Sequence, residues 1–306
     1  MYHKKSSLLI IILIAVVVCL IRCMNEVKAV DSRGRNFAGA VSCRQCHQAI
    51  YDSFISSAHY SSTSPAMKEN IFGNFSAGHN KFKFNDTLTV VMEDRDSGYY
   101  QVLYEKGKEK NAYKFDIIFG CRNAQTSLYW QDNQTYELPV SFYDAEKVWA
   151  TSPGFSETHP DFKRFIGTDC FECHSSNIKS LLNASTSGIT QEMEKGSLIY
   201  GIDCERCHGP AKAHVLYHLE NERDTVSKYL LLNGSLNRQQ KIDGCALCHS
   251  GNDKLKIESR FRFRPGDSLD NYFMPKDTGS KVSDFDVHGN QYGLLKESKC
   301  FKNTST

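Results

Sequence analysis

The chain has 306 residues, 37 Lys and Arg against 35 Asp and Glu, and a formal charge of +2 at pH 7. That length suits one or two globular domains, and the near-neutral balance carries no basic stripe of the kind a polynucleotide partner requires, which argues against nucleic-acid binding. Twelve cysteines are many for this length, and their spacing directs the reading.

Lys4 and Lys5 precede an apolar run from Leu8 to Ile21, and a short polar stretch leads to Val27-Lys28-Ala29. This is the layout of a secretory signal over 1–29, cut after Ala29. The run is shorter than the roughly 20 residues that span a bilayer; left uncleaved, it would tie the chain to a membrane. Cys19 and Cys23 follow Val18 and Arg22, not the small residue that a lipidation signal needs. Export would place the mature chain in the periplasm or otherwise outside the cytoplasmic membrane, where thiols are not kept reduced.

Residues 30–80 hold Cys43-Arg44-Gln45-Cys46-His47, then Ala49 to His59 with Ile50, Phe54 and Ile55 at helical spacing. A helix there would carry His59 away from His47 and toward a neighbouring centre. Residues 81–145 read as strands over 81–84, 88–92, 99–104, 113–119, 127–131 and 136–142. Asp96-Ser97-Gly98, Gly107, Asn123 and Asp132-Asn133 are the turn residues, and Pro139 marks an edge. This segment is expected to be a small antiparallel meander serving as a scaffold, with a docking surface for a redox partner as the alternative.

Residues 146–306 hold three more Cys-x-x-Cys-His motifs, Cys170 to His174, Cys204 to His208 and Cys245 to His249. The four motifs start at 43, 170, 204 and 245, a spacing that groups three and sets one apart. Gly209-Pro210 leads into a helix over 211–218, where His214 and His218 share a face. His288 lies in a turn-like stretch beside Gly289, which permits close backbone approach.

Cys-x-x-Cys-His is the attachment signature of a c-type haem. The two thiols bond to the two vinyl groups, and the adjacent imidazole ligates the iron. Four Cys-x-x-Cys pairs could instead supply two Cys₄ zinc sites or redox disulfides, but neither needs the histidine that follows every pair. With 11 histidines in 306 residues, its fourfold recurrence by chance is about 2 in a million. The sequence thus implies four covalent haem c groups on Cys43, Cys46, Cys170, Cys173, Cys204, Cys207, Cys245 and Cys248, with His47, His174, His208 and His249 as proximal ligands. A second histidine on each iron would make a carrier, and an open position a catalyst. His59, His214 and His288 are the first distal candidates, then His79, ahead of His159 and His218. Met67 and Met274 are thioether alternatives that nothing favours. Cys121 and Cys300 are left to form one disulfide or to remain thiols. With so much porphyrin in the core, the apoprotein is expected to be mostly unfolded.

Several segments carry a family resemblance: Cys43 to His47 with His59, Gln125 to Trp130 with Leu138 to Ser141, Cys204 to Pro210 with Ala213-His214-Val215, Cys245 to Gly251, and Val287 to Tyr292. Through them the chain resembles multihaem cytochromes of the cytochrome c-554 type, tetrahaem carriers that accept electrons from hydroxylamine oxidoreductase. The resemblance implies haems packed in close pairs, His59, His214 and His288 as distal ligands, and a mainly α fold, into which the strand reading sets a small antiparallel β insert between the first and second motifs. In larger members a further motif follows the segment similar to Ser298 to Phe301, so the chain ending at Thr306 is expected to be a truncation or a short form. The expected role is electron transfer between redox protein partners, with no catalytic residue. The rivals are a reductase or oxidase of a small nitrogen or sulfur compound with one open haem, and a haem-bearing module of a larger redox complex.

Overall fold

Through the middle of the chain, β-branched and aromatic residues alternate with polar ones, and the backbone there pairs into strands. The computed structural model describes residues 30–181, 191–251, 254–275 and 289–304; the signal-like segment 1–29 and His288 lie outside the described residues. In chain order the strands are β1 (Thr63–Pro65), β2 (Lys81–Lys83), β3 (Leu88–Arg95), β4 (Gly98–Glu105), β5 (Lys108–Lys114), β6 (Ile117–Phe119), β7 (Ala124–Gln131) and β8 (Gln134–Glu137). They continue with β9 (Val140–Tyr143), β10 (Val148–Thr151), β11 (Arg164–Ile166), β12 (Ser175–Ser180), β13 (Met193–Tyr200), β14 (Lys254–Lys256) and β15 (Phe273–Pro275).

Strands β2 to β5 form an antiparallel meander, with β3 and β4 in register from Leu88 opposite Glu105 to Arg95 opposite Gly98. A seven-stranded sheet runs β1-β6-β7-β8-β11, with β9 pairing both β7 and β10. Pro139 separates β8 from β9, so the run over 136–142 is two strands pairing with different halves of β7. One apolar cluster joins the two sheets: Val90 and Met92 of β3 meet Phe115, Leu138, Val140, Phe142 and Trp149. Hairpins β12–β13 and β14–β15 make the other two sheets.

The helices are short: α1 (Ala40–Arg44), α2 (Gln48–Phe54), α3 (Thr168–His174), α4 (Cys204–His208), α5 (Lys212–Glu220), α6 (Arg238–His249), α7 (Gln291–Glu297) and α8 (Lys299–Asn303). Among the described residues, fifteen strands in four sheets overturn the expectation of a mainly α fold with a small β insert. Strands begin at Thr63, run to Ile166 and resume at Ser175, directly after the second motif. The physical reason is that a Cys-x-x-Cys-His motif needs little more than one helical turn. α3 ends at His174 as Ser175 turns extended, and α4 ends at His208 as Gly209 takes φ 79°. Four motifs therefore bring little helix with them. The helix expected up to His59 likewise stops at Phe54. Among the described residues, no helix is long and apolar enough to cross a membrane.

Candidate metal centres

Each motif sits on or beside a short helix. Cys43 lies in α1, with the His47 amide donating to the Cys43 carbonyl at 2.9 Å; α3, α4 and α6 each end on their motif histidine. None of the ten described cysteines is joined in a disulfide. Among the described residues, no group of three or more His, Cys, Asp or Glu side chains is placed to hold a metal ion, so the Cys₄ arrangement is not formed. The thiols meet instead across motifs. A hydrogen bond to Cys204, with burial adding, pushes the Cys43 thiol up, and the same bond lowers Cys204. A bond from Cys248 holds Cys173 down to about 7 against the effect of burial. The first motif therefore faces the third, and the second faces the fourth. That pairing differs from the three-plus-one grouping suggested by spacing along the chain.

The histidines pair across motifs as well. The His47 and His214 rings stack with centres 6.5 Å apart and planes 10° apart. The His59 and His249 rings stand 6.0 Å apart at 84°. An iron taking one nitrogen from each of two imidazoles at roughly 2 Å requires ring centres roughly 6 Å apart, which is the spacing of both pairs. His214 Nδ1 lies 2.9 Å from the Lys228 carbonyl oxygen. A carbonyl only accepts, so Nδ1 carries the proton and Nε2 keeps its lone pair for a metal. His249 Nδ1 lies 3.1 Å from Gln291 Oε1, which orients that ring in the same way. Val41 and Ile50 beside the first motif, and Leu216 and Leu219 on α5, are about half exposed or more, an apolar surface that a porphyrin would cover. Thiols, ring pairs and apolar faces together fit haem.

A family model described as "Cytochrome c554 and c-prime" matches residues 121–209, which include the second and third motifs. Over that stretch the chain is similar to multihaem c-type cytochromes. It also matches a solved structure, outer cell wall cytochrome OcwA, at 14% identity and a TM-score of 0.51. That match covers 85% of this chain and 51% of the other, so the chain spans about half the length of OcwA. No curated protein matches it.

The remaining candidates are placed differently. His174 ends α3 exposed, desolvation lowers its pKa, and its ring stacks on Phe119 with centres 4.9 Å apart. Its carbonyl accepts from Ser62 Oγ at 2.8 Å and from Thr63 Oγ1. His208 is exposed at the end of α4. Among the described residues, no second histidine ring stacks or crosses either of them. His79 is exposed in a turn with no ring contact to a motif histidine, and His159 Nδ1 bonds Thr158 Oγ1 at 3.0 Å. The His218 ring crosses that of His214 at 4.7 Å, its Nε2 buried without a hydrogen-bond partner. Cys121 donates to the Ala58 carbonyl at 3.5 Å, while Cys300 is exposed.

Sequence reasoning missed the acids inside the motifs. Glu172, between Cys170 and Cys173, is 2% exposed, and Glu205, between Cys204 and Cys207, is 3% exposed. A carboxylate inside an attachment motif was the available signal, because a buried acid needs partners that only the fold supplies.

Proposed function

We propose that the chain is a multihaem c-type cytochrome and an exported electron carrier, which would bind four haem c groups through its four motifs, with His47 and His214 as the ligand pair of one centre and His249 and His59 as that of another. When bound, each haem supplies a one-electron couple. The observation that carries this reading is the two histidine pairs, set near 6 Å apart by separate parts of the chain. The residues do the rest. The Lys228 carbonyl and Gln291 orient the rings of His214 and His249 that would hold the iron. His174 and His208 serve as proximal ligands of the other two centres. The signal-like segment at 1–29, together with the likeness to an outer cell wall cytochrome, supports a place outside the cytoplasmic membrane, with redox proteins as partners and the membrane as a site of attachment if 1–29 is retained.

The test is electron paramagnetic resonance of the oxidised holoprotein, with haem stoichiometry measured on the same sample. Four haems per chain are expected, and His214→Met and His59→Met should each change one low-spin signal and spare the others. Unchanged spectra in both variants would sink the axial assignment. A stoichiometric high-spin signal in the unmodified protein would put the reductase or oxidase reading in its place.

A further inference from the structure

Glu205 belongs to the third motif, yet its bonds lead to the first centre. Its Oε1 accepts the amides of Ala38 at 2.9 Å and Ala211 at 2.7 Å. Its Oε2 accepts the Gly39 amide at 2.8 Å and Arg33 Nη2 at 3.1 Å. Two donors on each oxygen saturate the carboxylate, which is what allows a charge to remain buried. Arg33 is held in turn by Asp31 and Asp203 at 2.9 and 2.8 Å. Gly39 is the residue from which α1 starts toward Cys43, Cys46 and His47, and Ala211 is the residue from which α5 starts toward His214. One side chain thus grips the roots of both elements whose rings stand 6.5 Å apart.

Glu172 is an internal comparison, since its bonds lead elsewhere. Its carboxylate accepts from Ser259 Oγ at 2.5 Å, Lys256 Nζ at 3.1 Å and Arg260 Nη1 at 3.2 Å. Arg260 Nε also donates to the Leu247 carbonyl of α6 at 3.1 Å, which ties this acid to the fourth motif.

We infer that Glu205 is a positioning residue of the first centre: by holding Ala38, Gly39 and Ala211 on one carboxylate, it sets the spacing of His47 and His214. The inference rests on the axial pairing proposed above and extends it to a residue of another motif. In Glu205→Gln an amide nitrogen replaces one oxygen and confronts two donors, so half of the grip is lost.

The experiment measures paramagnetic resonance, haem stoichiometry and amide exchange on the holoprotein. In Glu205→Gln, the low-spin signal that His214→Met identifies should shift or turn high-spin at unchanged stoichiometry, and exchange at Gly39 and Ala211 should speed at least tenfold. Glu172→Gln should leave that signal in place. Glu205→Asp keeps the charge but loses reach, so it should move the same signal by less; it carries the test if the glutamine variant does not mature. An unmoved signal in the variant measured, equal shifts in all signals, or an equal effect of Glu172→Gln on the first centre would overturn the inference. If His214→Met changes no signal while exchange at Gly39 and Ala211 still rises in the Glu205 variant, the axial pairing fails and Glu205 keeps only its clamp, which also overturns the inference as stated.

Discussion

Gly201 has φ +63°, and a Cβ built on it would lie 1.8 Å from the Tyr60 carbonyl oxygen. The next residue, Ile202, donates its amide to the His59 carbonyl at 2.9 Å. The backbone after β13 is thus pressed against the turn that presents His59 to His249, and only glycine fits there. Gly201→Ala must push that turn away. It should cost about 2 kcal/mol or more and disturb the low-spin signal that His59→Met identifies while sparing the one that His214→Met identifies. A denaturant midpoint and a resonance spectrum on one preparation check both. At this scale the attachment residues were legible because thioether chemistry is local: two thiols and an imidazole within five positions state it. The roles of Glu205 and Gly201 were not, since each depends on a backbone segment far away in the chain.

Among the elements, β9 and β10 bring Phe142 and Trp149 together with ring centres 5.2 Å apart in the cluster joining the two large sheets. Phe142 is 2% exposed. Phe142→Ala should destabilise the β region by about 3–5 kcal/mol, while the resonance spectrum of the folded holoprotein stays as it was. His47 and His214 belong to α1, α5 and their flanks, and nothing in their clamp touches β9. Strands β3, β4 and β7 were legible from alternation and turn residues. The class was not, for two reasons. Counting motifs overestimates helix, because α1 stops at Arg44 and the other three motif helices stop at their histidine, and β12 and β13 lie in segments whose serines, lysines and glycines read as loop. Strand β12 forms because Ser175, Ser176 and Asn177 are buried and find partners: Phe171 O, Gly201 O and Ser197 O accept from their side chains.

In the whole molecule, two polar clusters hold the motif pairs, and they respond to pH with opposite sign. The pairing itself was illegible in the sequence, because it joins the first motif to the third across the intervening sheets. Around the first and third motifs, burial works against the Asp31 charge, but hydrogen bonds from the Arg33 side chain and backbone amide outweigh it and hold the carboxyl below its ordinary 3.8. A folded-state pKa below the unfolded one gives stability that is present above the unfolded value and lost as pH falls through the folded one. Arg33, raised by Asp31 and Asp203 despite its burial, stays charged in alkali. Around the second and fourth motifs, burial works against the Lys256 charge, but Asp169 and Glu172 outweigh it and raise the amine above 10.5. That contribution is complete below 10.5 and is lost as pH rises through the folded value. Hydrogen exchange on the holoprotein should therefore quicken first at residues 31–39 and 211 below about pH 4, and first at residues 256–260 above about pH 11. The same region loosening first at both extremes would mean that these two clusters do not hold the pairs.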